Sequence, residues 1–283
     1  MSRTEDIPFF VLTVLCAVSF ILNGTFLIVI CKNWTLVKRR RITYHVTSLA
    51  ISDFLVGANV FCRYIAIIAT WKITRLSSVF LIIQYMAVLT SLLAVCLMAI
   101  ERSLCIKKPI TWKKIISLNR ILRIMVGNWV PVLPLGILLY FYTFQMTIIL
   151  AVFFYTFQSL SLHCVHQYVR KDLEINVVDD GIQQSSSIGE RLKKLMQQKV
   201  ANLVLILTLV LIITIAPTLL VIVIRESCIL LNGKFIGTMK TVVTYSKILS
   251  MLNFIVNPIL YVWRINLYRQ AFWKMLSRGR NEN

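Results

Sequence analysis

Several polar residues stand where an apolar chain should not place them. Asp53 closes the stretch Ser48-Leu49-Ala50-Ile51-Ser52-Asp53 inside a long hydrophobic run. A second run reads Asn253-Phe254-Ile255-Val256-Asn257-Pro258-Ile259-Leu260-Tyr261. A third ends Met98-Ala99-Ile100-Glu101-Arg102-Ser103, with Pro109 beyond it. Polar groups inside a bilayer are costly, so each needs a reason to be there. That reason is not nucleophilic or metal catalysis. The chain has no GxSxG, HExxH or phosphate-cradling glycine loop and no paired intramembrane His/Asp set. Its seven cysteines make no CxxC, and its three histidines form no metal-like cluster.

The elements that hold these residues are membrane-length helices. Of the 283 residues, 58% are hydrophobic and only 15% charged, too apolar for a water-facing surface. A helix needs about 20 apolar residues to cross a bilayer. Seven stretches qualify: residues 8–31, 43–68, 78–106, 121–142, 147–169, 200–224 and 238–263. The fourth and fifth are separated only by residues 141–146, which predicts a tight outer turn. The first span is too long for a cleaved leader, and its basic residues follow it instead of preceding it. The expected fold is therefore an all-α bundle of seven transmembrane helices in one domain covering residues 1–283.

Charge sets the orientation. The net charge of +20 suggests nucleic acid at first sight, but 23 of the 31 lysines and arginines fall in residues 32–41, 102–123, 170–199 and 264–283. Those are the cytosolic segments if the N-terminus lies outside and the C-terminus inside. No stretch is left to build a nucleic-acid-binding domain. After Trp263 the pattern turns amphipathic over residues 264–277, with Leu267, Phe272, Trp273 and Leu276 facing lipid and Arg264, Arg269 and Lys274 meeting headgroups. No inverted repeat is visible, which argues against a transporter.

Over nearly its whole length the chain resembles the rhodopsin-like (class A) G-protein-coupled receptors. The carriers are Ser48 to Asp53 in the second span, Glu101-Arg102-Ser103 in place of the family's D/E-R-Y, and Asn257-Pro258-Ile259-Leu260-Tyr261 as its NPxxY. Asn23, Trp129 and Pro217 fit the marker residues of the first, fourth and sixth helices. The resemblance implies a plasma-membrane receptor that binds a ligand and activates a heterotrimeric G protein, with no enzymatic activity. Glu101, Arg102, Pro217, Asn257, Pro258 and Tyr261 would then carry activation. Asp53, Ser91, Asn253 and Asn257 would form the family's sodium site, an allosteric one; the alternative is a neutral hydrogen-bonded network around a protonated Asp53. The resting family member restrains its arginine through the neighbouring acid and through a second acid on helix six.

Departures matter as much. The second acid is replaced by Gln197, which predicts a loosely held resting state. The tryptophan usually found two residues before the helix-six proline is Ile215. The usual outer disulfide has no cysteines to form it; Cys228 has no evident partner except Cys62. The short outer loop, the missing disulfide and a fifth span without proline are similar to the melanocortin–adenosine–cannabinoid–lysophospholipid branch.

For the ligand, the helix-three aspartate of amine receptors is Gln84, and the retinal-binding lysine of opsins is Met251, so neither a monoamine nor retinal is expected. Two cations remain. Arg63 lies ten residues outward of Asp53 and Lys247 ten residues outward of Asn257. Each step is about 15 Å of helix, which puts both at one depth in the outer half. Arg63 could instead snorkel to the surface. With Gln84, Tyr85, Val88, Ile215 and Val243 as mostly apolar walls, the pair predicts an anionic group on a lipid-like or aromatic body. The competing reading is a pseudo-receptor or scaffold that signals weakly or constitutively.

Overall fold

The computed structural model describes residues 3–38, 40–68, 74–107, 117–141, 188–230 and 236–281, with Val152, Tyr155, Thr156, Ser159 and His163 between them. The described residues are helical almost throughout. They form α1 (Arg3–Lys32), a short α2 (Trp34–Val37), α3 (Arg41–Ile68), α4 (Thr74–Lys107), α5 (Leu118–Phe141), α6 (Ile188–Leu230), α7 (Ile236–Arg264) and α8 (Asn266–Asn281). Six of these are long and apolar enough to cross a membrane. The expected fifth span, residues 147–169, falls largely outside the described residues. Its described members, Val152, Tyr155, Thr156, Ser159 and His163, have helical backbone and follow a spacing of one helical face. One of them, Tyr155, donates from its hydroxyl to the Ala216 carbonyl of α6 at 3.3 Å.

The helices run well past the apolar stretches. α6 begins at Ile188, not near residue 200, because Gly189 to Lys199 is rich in Glu, Leu, Lys, Met and Gln, strong helix formers that need no bilayer. Its membrane-length part is Asn202–Arg225. Residue 265 interrupts the chain between α7 and α8, and the Ile265 amide still donates to the Tyr261 carbonyl at 3.1 Å.

α1 packs on α3 and α7, α3 on α4, α4 on α5 and α6, and α6 on α7. Inside lipid, apolar area gives little drive for association, so close backbone approach has to supply it. Gly57 provides one such approach. A Cβ there would meet the Phe20 amide nitrogen at 2.8 Å and the Cys16 carbonyl at 3.1 Å, both main-chain atoms of α1. Gly136 does the same for α5 against α4, where a Cβ would lie 2.6 Å from Met86. A core of Leu92, Val95, Met98, Leu203, Leu207, Leu211 and Ile215 fills the space among α3, α4, α6 and α7. The opposite faces carry exposed rows, such as Phe10, Ile21 and Ile28 on α1 and Tyr245, Leu252 and Ile259 on α7. Patches of that extent on water-soluble chains mark contact with another apolar phase, here the bilayer.

Candidate functional site

The polar residues singled out in the sequence meet at the centre of the bundle. Asp53 is fully buried on α3. The Ser91 hydroxyl on α4 donates to Asp53 Oδ1 at 3.1 Å, and Asn257 Nδ2 on α7 donates to Oδ2 at 2.7 Å. Asn253, one turn away on α7, is also fully buried, and neither atom of its side-chain amide has a partner among the described residues. Three helices thus bring a hydroxyl and an amide to the two carboxylate oxygens, and Asn253 adds a buried amide oxygen one turn along α7. Hard cations favour oxygen donors of this kind, so the residues present fit the sodium ion that the resemblance implies.

Pro258 explains a further contact. Proline has no amide proton, so the carbonyl four residues earlier loses its helical donor. That carbonyl belongs to Phe254, and Asn23 Nδ2 on α1 donates to it at 2.8 Å, as well as to Ser19 O at 3.0 Å. The marker asparagine of the first helix therefore ties α1 to the weakened turn of α7. One turn beyond Pro258, Tyr261 is fully buried against Phe26, with ring centroids 5.2 Å apart. Phe26 also meets Tyr268 of α8 edge-on at 5.5 Å. The Tyr268 hydroxyl donates to Thr43 Oγ1 at 3.1 Å, and Asn33 Nδ2 to the Ala271 carbonyl at 3.3 Å. α8 is thereby locked onto the α1–α3 connection. Trp273 stays exposed on α8, as an interfacial residue would, whereas the Leu276 side chain lies outside the described residues.

At the end of the bundle that carries α8, Glu101 of α4 makes a contact that the sequence reading missed. Its Oε2 lies 2.5 Å from His45 Nε2 on α3, with both side chains only 4% exposed. Depth arithmetic could have found it. His45 lies eight residues inward of Asp53 and Glu101 ten inward of Ser91, about 12 and 15 Å of helix from two bonded anchors. Arg102 follows on the same helix; its side chain, like that of Gln197 on α6, lies outside the described residues.

Toward the opposite end, the Asp53–Asn257 bond puts α3 and α7 in a fixed register. Arg63 and Lys247, ten residues outward of each partner, therefore share a level. Lys247 follows Tyr245 by two positions, about 200° around the helix. It thus points away from the exposed row of Tyr245, Leu252 and Ile259 and shares the face of buried Val243, Met251 and Phe254. Its side chain is nevertheless exposed, although protein crowds around it. Among the described residues, the charges close enough to act on its ammonium are Arg63 and Arg225 of α6, both positive. Arg225 was not among the expected pocket residues. Gln84, Tyr85 and Val88 are half-buried on α4. Val243 is buried, and Ile215 is buried within the inner core, where it packs as an ordinary apolar residue. Thr218, next to Pro217, donates to the Ser246 carbonyl at 2.6 Å and so ties α6 to α7 beside Lys247. Cys62 and Cys228 are free thiols, so the pairing left open by the sequence is not made.

The fold is that of a multi-pass helical membrane protein. Residues 22–172, more than half of the chain, match the seven-transmembrane receptors of the rhodopsin family, and the chain belongs to that family. The match is to the family as a whole, not to a branch within it. No curated protein matches the chain as a relative.

Proposed function

We propose that the protein is a plasma-membrane receptor that couples an anionic ligand, one charged group on an apolar body, to activation of a heterotrimeric G protein. In this reading the chain has seven spans, with residues 147–169 as the fifth. The N-terminus is outside, the C-terminus is in the cytosol, and α8 lies in the inner interface. The observation that carries the ligand class is Lys247. It is inward-facing and exposed, level with Arg63, and the charges acting on it are themselves positive. Such a site is unfavourable when empty, so part of a ligand anion's affinity comes from relieving it.

A bound anion would pull on α7 at Lys247 and on α3 at Arg63. Both helices meet again at the Asp53–Asn257 bond, and α7 holds α6 through Thr218 and Ser246. Rearrangement of α6 about Pro217 and exposure of Arg102 to the G protein would follow, as the family resemblance implies. Asp53, Ser91, Asn253 and Asn257 would hold a sodium ion in the resting state, whose charge would offset that of Asp53.

The test is a G-protein dissociation assay in cells, run with fatty acids and lysophosphatidic acids against neutral and cationic analogues of the same chains. A charge-assisted contact contributes about 1.5–3 kcal/mol. Lys247→Ala should therefore lower the potency of an anionic agonist by roughly 10- to 100-fold, and Lys247→Arg should lower it much less. An agonist without negative charge, whose potency ignores both Arg63→Ala and Lys247→Ala, would defeat the ligand class. Failure of every G protein to respond, with or without ligand, would favour the pseudo-receptor reading.

A further inference from the structure

Glu101 stands immediately before Arg102, and the resemblance makes it the acid that restrains that arginine at rest. In this protein the same carboxylate has another claimant. His45 Nε2 approaches Glu101 Oε2 to 2.5 Å between α3 and α4, in a setting where both side chains are 4% exposed. The contact ties α3 to α4 at a buried level of the bundle. A ring nitrogen and a carboxylate oxygen that close require a proton between them, since two lone pairs would repel. His45 Nδ1 is buried and has no partner among the described residues, so Nε2 supplies the contact that holds the ring. A buried ion pair is weak evidence of stability, because desolvation offsets much of its attraction. Its consequence is where the carboxylate's charge is directed.

We propose that His45 is a positioning residue for activation: it competes with Arg102 for the charge of Glu101 and so weakens the restraint on Arg102. This rests on the receptor reading above. Together with glutamine at position 197, it leaves the resting state doubly loosened. A carboxylate whose charge is engaged by the imidazole has less of it to offer the guanidinium that follows in the chain. Removing the imidazole leaves a buried acid whose adjacent cation is Arg102, and the restraint tightens.

The direction is testable without any ligand. At matched surface abundance, His45→Ala should lower basal G-protein activation by about twofold to thirtyfold, the range of single contacts along a coupling network. Glu101→Gln should raise it. In the Glu101→Gln background His45→Ala should then have no further effect, since His45 acts only through that carboxylate. A merely structural role would change signalling equally in both backgrounds. His45→Gln, which keeps a neutral donor and most of the volume, should fall between wild type and His45→Ala.

A rise in basal activity on His45→Ala, or the same change in both backgrounds, overturns the proposal. Thermal unfolding of purified receptor in detergent reads the pair without a G protein. The melting-temperature losses of His45→Ala and Glu101→Gln should be less than additive in the double variant. Simple additivity would overturn the proposal even if the receptor reading itself failed.

Discussion

Replacing Asp53 by asparagine separates its charge from its shape. Asp53 accepts from Ser91 through Oδ1 and from Asn257 through Oδ2. Asparagine keeps one acceptor oxygen, which can take the 2.7 Å contact from Asn257. Its new amide protons can donate to Ser91, because a hydroxyl accepts as readily as it donates. Both contacts survive as neutral bonds, each about 1 kcal/mol weaker than its charge-assisted form. The lower cost of burying an amide offsets much of that loss. Stability in choline chloride should therefore change little. The response to sodium should not survive, because the remaining donors carry no charge. Sodium at ten times its dissociation constant stabilises a protein that binds it only when folded by about 1.4 kcal/mol. The assay is thermal unfolding of the purified receptor in detergent, with sodium chloride titrated against choline chloride at constant ionic strength. Wild type should melt at a higher temperature as sodium rises, and Asp53→Asn should not. Asp53→Ala should be destabilised in both salts, since it strands a buried amide and a buried hydroxyl at about 1–3 kcal/mol each. An equal sodium shift in wild type and Asp53→Asn refutes the site. A wild-type protein indifferent to sodium refutes the cation and favours the neutral network.

Two further outcomes follow from the packing and the motifs. Gly57→Ala should lower thermal stability by about 1–3 kcal/mol, the range for overpacking. The new Cβ meets main-chain atoms 2.8 and 3.1 Å away that no rotamer change can move. Gly127→Ala is the control, with nothing within 4 Å of its Cβ, and should be neutral or slightly stabilising. Gln197→Glu should lower ligand-independent signalling by supplying the missing acid opposite Arg102, a contact of about 1.5–3 kcal/mol. No change, or a rise, in basal G-protein dissociation would show that the resting state is held in another way.

Much of the centre was legible because polar residues inside apolar runs are conspicuous and antiparallel helices turn residue counts into depths. The family resemblance grouped Asp53 with Asn257, and they are hydrogen-bonded. The Asn23 contact could also have been derived, since Pro258 must orphan the Phe254 carbonyl and a donor must come from outside α7. Helix ends were less readable. An apolar threshold sees the membrane and not the helix, which is why α6 starts well before its hydrophobic stretch. His45 was weighed only as a metal ligand, with the other histidines. Only its depth relative to Glu101, not its neighbours in sequence, marks it. Arg225 was missed for a different reason: at the end of a span a basic residue looks like a boundary marker, and only the packing of α6 on α7 brings it near Lys247.

The central claim is that this chain passes a signal to a G protein through Arg102. The direct measurement compares wild type with Arg102→Ala in a G-protein dissociation assay, with surface abundance matched by labelling of intact cells. Wild type should activate at least one G protein, either basally or with an anionic lipid. Arg102→Ala should reach the surface and activate none. Retained coupling at normal surface abundance would contradict the account.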